Sequence, residues 1–427
     1  MNVPDVCQLA SADAAILMAR LDALGQCTQE PGRITRPYAT PALARARDLV
    51  AGWMQAAGMS TRVDAVGNLI GRYAGKAGAT QTLVTGSHID SVRDAGRYDG
   101  PLGALVPISC VERLHRGGRR LPFSIEIVAF VDEEGLRFRS SFLGSSVYAG
   151  TFNDAELALV DSDGTSLADA IRGFGGDPDA LAAAARDPND LIGYIEVHIE
   201  QGPILDAAGE PLGIVTSIQG QSRGTFTLSG VAGHAGTVPM HLRRDALAGA
   251  AAIVLAIEAV ARETDALVAT VGQITVEPGA ANVIPARATL TYDVRHSSDA
   301  VREGSLTDMQ ERAAVIAHDR GLILTYGAPT SMAAVPCDLA LQDRLVEAVA
   351  ALGLPTPRLA SGAGHDAMSL AQITPVAILF VRCAGGTSHN PDESIRTDDA
   401  ALAIGALSGF LERLATETPL APRETAA

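Results

Sequence analysis

Residues 85–103 hold the densest chemistry in the chain. The apolar run 82–85 delivers His88 and Asp90 into a Gly-rich loop that ends with Asp99. That run predicts a buried strand, and a helix can begin near Leu102. On an extended backbone His88 and Asp90, two residues apart, point the same way. An imidazole and two carboxylates at a strand end suit a metal. The ring ligates, one carboxylate orients its other nitrogen, and the other ligates or bridges. A polar loop with a helix-capping Asp would use the same residues, so this stretch alone leaves both readings open.

Three more apolar runs end in the same way. Residues 123–131 lead into Asp132-Glu133-Glu134-Gly135. Adjacent carboxylates repel one another and need either a cation or a solvated loop. Of two consecutive Glu residues, one suits metal ligation and the other suits the general base towards its water. The run 192–199 puts Glu196, His198 and Glu200 on one face, followed by Gln201-Gly202. After the run 376–381, His389 lies in Gly385-Gly-Thr-Ser-His-Asn-Pro. Each signal is modest. Four strand ends that each offer a His or a carboxylate make a metal cluster the better reading, and the mixed donors suit Zn, Mn, Co or Ni.

These strands need a frame. Helical spacing covers residues 12–25 and 41–58, and residues 61–73 read as one strand. Residues 153–190 read as helix and loop. Strands alternating with helices imply an α/β layer architecture. The character changes near Gly213. Strands are expected near 214–217, 225–229, 267–276, 288–294 and 322–326, and helices near 244–262 and 301–320. That is an α+β unit with an antiparallel sheet. Helix 339–352, strand 376–381 and helix 399–415 then restore the first pattern. The expectation is one catalytic domain, 1–213 with 330–427, interrupted by an inserted domain, 214–329.

Composition narrows the function classes. The chain has 427 residues, 47% apolar and 19% charged, with a formal charge of −16. That charge argues against nucleic acid or an anionic membrane as partner, and ordinary solubility accounts for it. Lys76 is the single lysine and sits in a surface-like turn, so Schiff-base and pyridoxal chemistry is disfavoured. Cys7, Cys27, Cys110, Cys337 and Cys383 are odd in number and include no CxxC pair, which fits a reducing compartment. No signal-like N-terminal segment and no bilayer-length apolar run is apparent. The expectation is a cytoplasmic protein with no membrane partner.

The set His88-Ile-Asp90, Asp99-Gly100, Glu133-Glu134-Gly135, Glu196-Val-His198-Ile-Glu200-Gln201-Gly202 and Ser388-His389-Asn390-Pro391 resembles the hydantoinase/carbamoylase amidases. These belong to the clan of di-zinc aminopeptidases and aminoacylases. The resemblance spans nearly the whole chain, including Gly230-Val-Ala-Gly-His234-Ala-Gly-Thr and Ala281-Asn282-Val-Ile-Pro285. It implies an α/β, di-metal aminopeptidase-like catalytic domain with an inserted α+β lid and dimerisation domain, and a homodimer formed through that insert. It implies two divalent metal ions, zinc or manganese before cobalt or nickel. His88 and His198 would hold one, Glu134 and His389 the other, with Asp99 bridging. Glu133 would be the general base and Asp90 the group that orients His88.

The implied substrate is a small molecule with a ureido group beside a carboxylate. Allantoate comes first and an N-carbamoyl-L-amino acid second, ahead of a dipeptide or an acylated amino acid. Arg295 matches the family's carboxylate-binding Arg, a role that suits a bidentate donor. Asn282 and His234 match its other polar contacts from the insert, and His234 would also stabilise the oxyanion. Gln201, Gln221, Gly364 and His365 would line the pocket. The expected reaction is metal-assisted amide hydrolysis yielding ammonia, carbon dioxide and an amine, with Glu133 passing a proton from water to the leaving nitrogen.

Overall fold

The structure is a computed structural model that describes residues 3–416, with side chains described from Ala12 onward; Cys7 lies outside the described side chains. The chain forms two compact units, Met1–Thr216 with Cys337–Ala427, and Ser217–Pro336.

The first unit is built on four parallel strands: β1 (Thr82–His88), β2 (Ser124–Phe130), β3 (Leu191–Ile199) and β4 (Val376–Val381). Their order is β2-β1-β3-β4, so four carboxyl ends stand side by side along one edge. All four strands are buried along their whole length, as expected of parallel strands covered on both faces. Antiparallel strands flank them, Leu69–Tyr73 against β2 and Leu212–Ile218 against β4. Helices Pro41–Ala56 and Pro101–Arg116 each begin with Pro, whose fixed φ suits the first helical position. Leu17, Leu105, Ile127, Val197, Leu379 and Phe410 belong to one continuous core. Truncating such a Leu to Ala costs about 2–5 kcal/mol, so the edge that carries the site is rigidly supported.

The second unit is an antiparallel sheet in the order Ile274–Glu277, Arg287–His296, Gly220–Ser229, Ile323–Tyr326. Burial alternates along Arg287–His296 because helices Ala246–Glu263 and Asp299–Asp319 pack on one face only. Phe226, Leu228, Ile253, Leu290, Val294 and Met309 form its core.

Two expected strands are each broken. Residues 61–73 form a hairpin of Ser60–Val63 and Leu69–Tyr73, because the Asp64 carboxylate gathers the N–H groups of Val66, Gly67 and Asn68 into a turn. Residues 267–276 divide into Val268–Thr270 and Ile274–Glu277. Between them the Gln273 N–H donates to the Thr291 hydroxyl, outside the ladder. No helix among the described residues is long and apolar enough to cross a membrane.

Candidate metal centre

Asp99 lies at the focus of the four strand ends. Its Oδ1 is 3.3 Å from His198 Nε2 and 3.9 Å from His88 Nε2. Its Oδ2 is 3.1 Å from His389 Nε2, which in turn is 3.4 Å from Glu134 Oε1. Two donor groups therefore share one carboxylate: His88, Asp99 and His198, and Asp99, Glu134 and His389. Within each group the donor atoms lie within 4.8 Å of one another. The Nδ1 atoms of His88 and His198 face the backbone oxygens of Asp90 and Ile199, which leaves both Nε2 atoms turned towards Asp99. Three imidazoles and two carboxylates so disposed fit a pair of divalent cations.

The approach is tight. Gly100 has φ +81°, and a Cβ there would fall 2.4 Å from the His88 ring, so only glycine fits. Asp132, Gln201 and His389 also adopt left-handed backbone, one in each loop that follows β2, β3 and β4. Such conformations cost free energy and collect at functional sites.

Opposing effects act on the Asp99 carboxyl. Burial would raise the Asp99 carboxyl, yet the His389 hydrogen bond and the His198 and His88 charges hold it below the usual range. His389 is raised to about 10 by hydrogen bonds to Asp99 and Glu134. Glu133 is buried, and its carboxyl is pushed well above the ordinary value, first by burial and then by Glu134, Asp366, Asp90 and Asp99. The Asp90 carboxylate accepts from the backbone N–H groups of Glu133 and Glu134 at 3.1 and 3.3 Å. Its Oδ1 stands 3.7 Å from His88 Nδ1, so the ring leans on the Asp90 backbone oxygen and the carboxylate holds the loop that carries the two Glu residues.

The remaining first-unit candidates pack against this centre. Gln201 Nε2 donates to both Asp99 oxygens, at 3.1 and 3.0 Å. A Cβ on Gly364 would lie 2.8 Å from the Phe142 ring and 3.8 Å from Glu133 Oε1. The His365 ring centroid is 4.6 Å from that of His198, and its Nε2 is 2.7 Å from Ser361 Oγ. Burial and the His198 charge push the His365 imidazole well below its ordinary value. A cavity of about 870 Å³ lined by Thr40, Arg137, Phe138 and Asp161 holds none of these residues.

The second unit gathers its candidates into two groups. The Asp293 carboxylate accepts from Gln221 Nε2 at 2.8 Å, Arg223 Nε at 2.8 Å, and Arg295 Nε and Nη2 at 2.8 and 2.9 Å. Burial opposes its ionisation, but the hydrogen bonds from Arg295 and Arg223 lower it to about 2. Strand pairing places Arg295 opposite Gln221 and Asp293 opposite Arg223. Apart from these, His234 pairs with Val283 across a two-residue ladder, and the Ala235 N–H donates to the Asn282 backbone oxygen at 2.9 Å. His234 and Asn282 are both exposed.

Comparison with known proteins decides the family. The profile of Peptidase family M20/M25/M40 matches residues 84–413, a span that contains all four strand ends. The chain belongs to this family. It is 41% identical to allantoate deiminase of Arabidopsis thaliana, over 96% of this chain and 83% of that one. It is 42% identical to an N-carbamoyl-L-amino acid amidohydrolase of Geobacillus stearothermophilus, over 93% of this chain and 98% of that one. The crystal structure of a hydantoinase/carbamoylase family amidase from Burkholderia multivorans is 34% identical, covers 95% of this chain and 98% of that one, and superposes with a TM-score of 0.89. This M20-family chain is a metal-dependent amidohydrolase acting on C–N bonds other than peptide bonds.

Four further residues buttress the M20-family centre, and of these the sequence marked all but Glu393. Glu196 is fully buried and accepts from the Ser87 hydroxyl at 2.7 Å and the Ala367 N–H at 3.0 Å. Its spacing from His198 in an apolar strand is what placed it among the strand-end candidates, without a role of its own. Glu200, two residues on, caps the helix Ile204–Ala208 by accepting from the N–H groups of Ile204 and Leu205. Ser388, part of the family motif, and Glu393 bind Asp99 and its backbone, and nothing in the local sequence marked Glu393.

Proposed function

We propose that this amidohydrolase cleaves the ureido C–N bond of allantoate, releasing ammonia and carbon dioxide. The observation that carries the substrate reading is a pair of buried polar atoms without hydrogen-bond partners, His365 Nδ1 and Gln201 Oε1. Buried polar groups left unpaired are costly, and a ligand rich in N–H and C=O groups relieves that cost. A ureido compound offers both, and allantoate carries two such groups. N-carbamoyl-L-amino acids are the second reading, favoured by the half-buried Phe142 ring beside Gly364, which offers an apolar contact to a side chain.

In this reading His88, His198 and Asp99 would hold one ion, and Asp99, Glu134 and His389 the other. When bound, the ions supply Lewis acidity at the carbonyl and lower the pKa of water. Glu133 accepts a proton from the attacking water at its carboxylate and returns it to the leaving nitrogen. Asp90 keeps Glu133 in place through the backbone. Arg295 holds the substrate carboxylate, with Gln221 and Asn282 as further polar contacts, and His234 donates to the developing oxyanion. The second unit serves as the dimerisation module; Leu247 and Leu255 are exposed on its helix Ala246–Glu263, and such apolar surface suits a self-association face. The four described cysteines are free and buried, which supports a cytoplasmic location.

The test is kcat/KM for allantoate against N-carbamoyl-methionine at equal metal loading, with a dipeptide as control. A preference for allantoate of about a hundredfold is expected, because a site built to pair polar groups rejects a ligand that leaves them unpaired. A preference for the carbamoyl compound would overturn allantoate and leave the hydrolytic chemistry standing. Faster dipeptide turnover would overturn the ureido class altogether.

A further inference from the structure

Asp99 can serve two ions only if each of its oxygens keeps its direction, and His389 must arrive from the other end of the chain at a fixed distance. One buried side chain spans both requirements. Glu393 is 2% exposed. Its Oε1 accepts from the backbone N–H groups of Tyr98 at 2.8 Å and Asp99 at 3.2 Å. Its Oε2 accepts from the Ser388 hydroxyl at 3.1 Å, and that hydroxyl also lies 3.2 Å from Asp99 Oδ2. The Glu393 N–H closes the turn that follows His389 by donating to the Asn390 backbone oxygen at 3.0 Å.

We propose that Glu393 is a positioning residue for the metal pair: it locks the loop that bears Asp99 to the loop that bears His389. The proposal rests on the ligand assignment given above and goes beyond it, because Glu393 itself faces backbone and a hydroxyl. Without its carboxylate, two buried N–H groups beside Asp99 lose their acceptor, and an unpaired buried donor is costly enough to displace the loop. The His389 loop, already in left-handed backbone, loses its anchor.

Gly96 supplies a variant that moves Glu393 without touching its charge. A Cβ on Gly96 would lie 2.2 Å from Glu393 Cδ and Oε1 and 2.4 Å from its Cβ, while the Gly96 backbone is one that alanine adopts freely. The experiment is Co²⁺ titration of the metal-stripped full chain, followed by visible d–d absorption and elemental analysis. The melting temperature of the stripped protein is the folding control. Gly96→Ala and Glu393→Ala should bind the second equivalent of Co²⁺ roughly ten- to a hundredfold more weakly. Glu393→Gln should stay close to wild type, because its amide oxygen still accepts from both N–H groups. His389→Ala is the reference for loss of one ion. If it loses an equivalent while Gly96→Ala and Glu393→Ala bind both ions as wild type does, the positioning role is overturned. If Glu393→Gln binds as weakly as Glu393→Ala, charge and not placement is at work, and the proposal is overturned too. If His389→Ala binds both equivalents, the ligand assignment falls and takes this proposal with it. Should Gly96→Ala fail to fold, the two Glu393 variants carry the comparison.

Discussion

Asp99 in the first unit and Asp293 in the second each gather several nitrogen donors around one carboxylate. Asp99 is met by three imidazoles and the Gln201 amide, Asp293 by the guanidinium groups of Arg223 and Arg295 and the Gln221 amide. The partners differ in kind. Imidazoles without their proton are ligands, so the rings around Asp99 can turn their nitrogens to metal ions. Guanidinium groups stay charged at every working pH and cannot ligate. Asp293 is therefore saturated, and under the proposed function its work would be to orient the Arg295 side chain. The nature of the nitrogens, more than the carboxylate itself, separates the candidate metal site from the proposed substrate clamp.

The comparison breaks most sharply at the carboxylates. Asp99→Ala should lose both ions and bring turnover to background, whereas Asp293→Ala should keep full metal content by elemental analysis. Full metal in Asp99→Ala would end the claim that it bridges. Glu133→Gln comes next. It preserves shape and hydrogen bonding but takes no proton, so turnover should fall by roughly two to four orders of magnitude while both ions stay bound. Near-normal turnover would remove Glu133 as the base.

A smaller effect is expected at the clamp. Arg295→Ala removes one charge-assisted contact, about 1.5–3 kcal/mol, and should raise KM roughly ten- to a hundredfold with kcat and metal content kept. Asp293→Asn leaves Arg295 in place but less firmly oriented, so KM should rise by less than in Arg295→Ala. Steady-state kinetics on the two variants decides it; a fall in kcat with KM unchanged would mean that Arg295 acts in chemistry and not in binding.

The two centres were unequally legible in the sequence. The candidate metal donors were readable as a group because each follows a run of apolar residues that reads as a buried strand, and parallel strands bring distant segments to one edge. The four strand ends could thus be grouped before any geometry was known, and the family resemblance then singled out His88, Glu134, His198 and His389. Asp293 carried no such signal: it alternates with apolar residues as any half-exposed strand residue does, and its role appears only when strand pairing sets it opposite Arg223. Glu393 was invisible for another reason. Its partners are backbone N–H groups 295 and 294 residues away, and backbone leaves no mark in composition. The two broken strands were misjudged because turns made by Asp64 and by the Thr291 hydroxyl lie in side-chain hydrogen bonds, which apolar spacing does not record.

The smallest effect separates the centres by pH alone. In the metal-stripped protein, His389 is raised from 6.5 to about 10 by Asp99 and Glu134, and Glu133 and Asp366 are raised chiefly by burial. A group whose folded value is raised contributes stability that is lost as pH climbs through the folded value, because the folded state binds more protons than the unfolded one there. His365 and His88 are shifted the other way, but their influence ends below the ordinary histidine value of 6.5. Asp293, held at about 2, has its full effect above the ordinary 3.8 and changes nothing at neutral pH. From about pH 7 to about pH 9 the stripped protein should therefore lose thermal stability, by an amount moderated at His389 because its side chain is 48% exposed. The loaded protein should not follow, since ligation requires deprotonated imidazole and ionised carboxylates and strengthens as pH rises. Scanning calorimetry of both forms across that range should show the curves diverging. A stripped form whose melting temperature holds or rises would mean that the Asp99 centre, like Asp293, is already saturated by its own side chains.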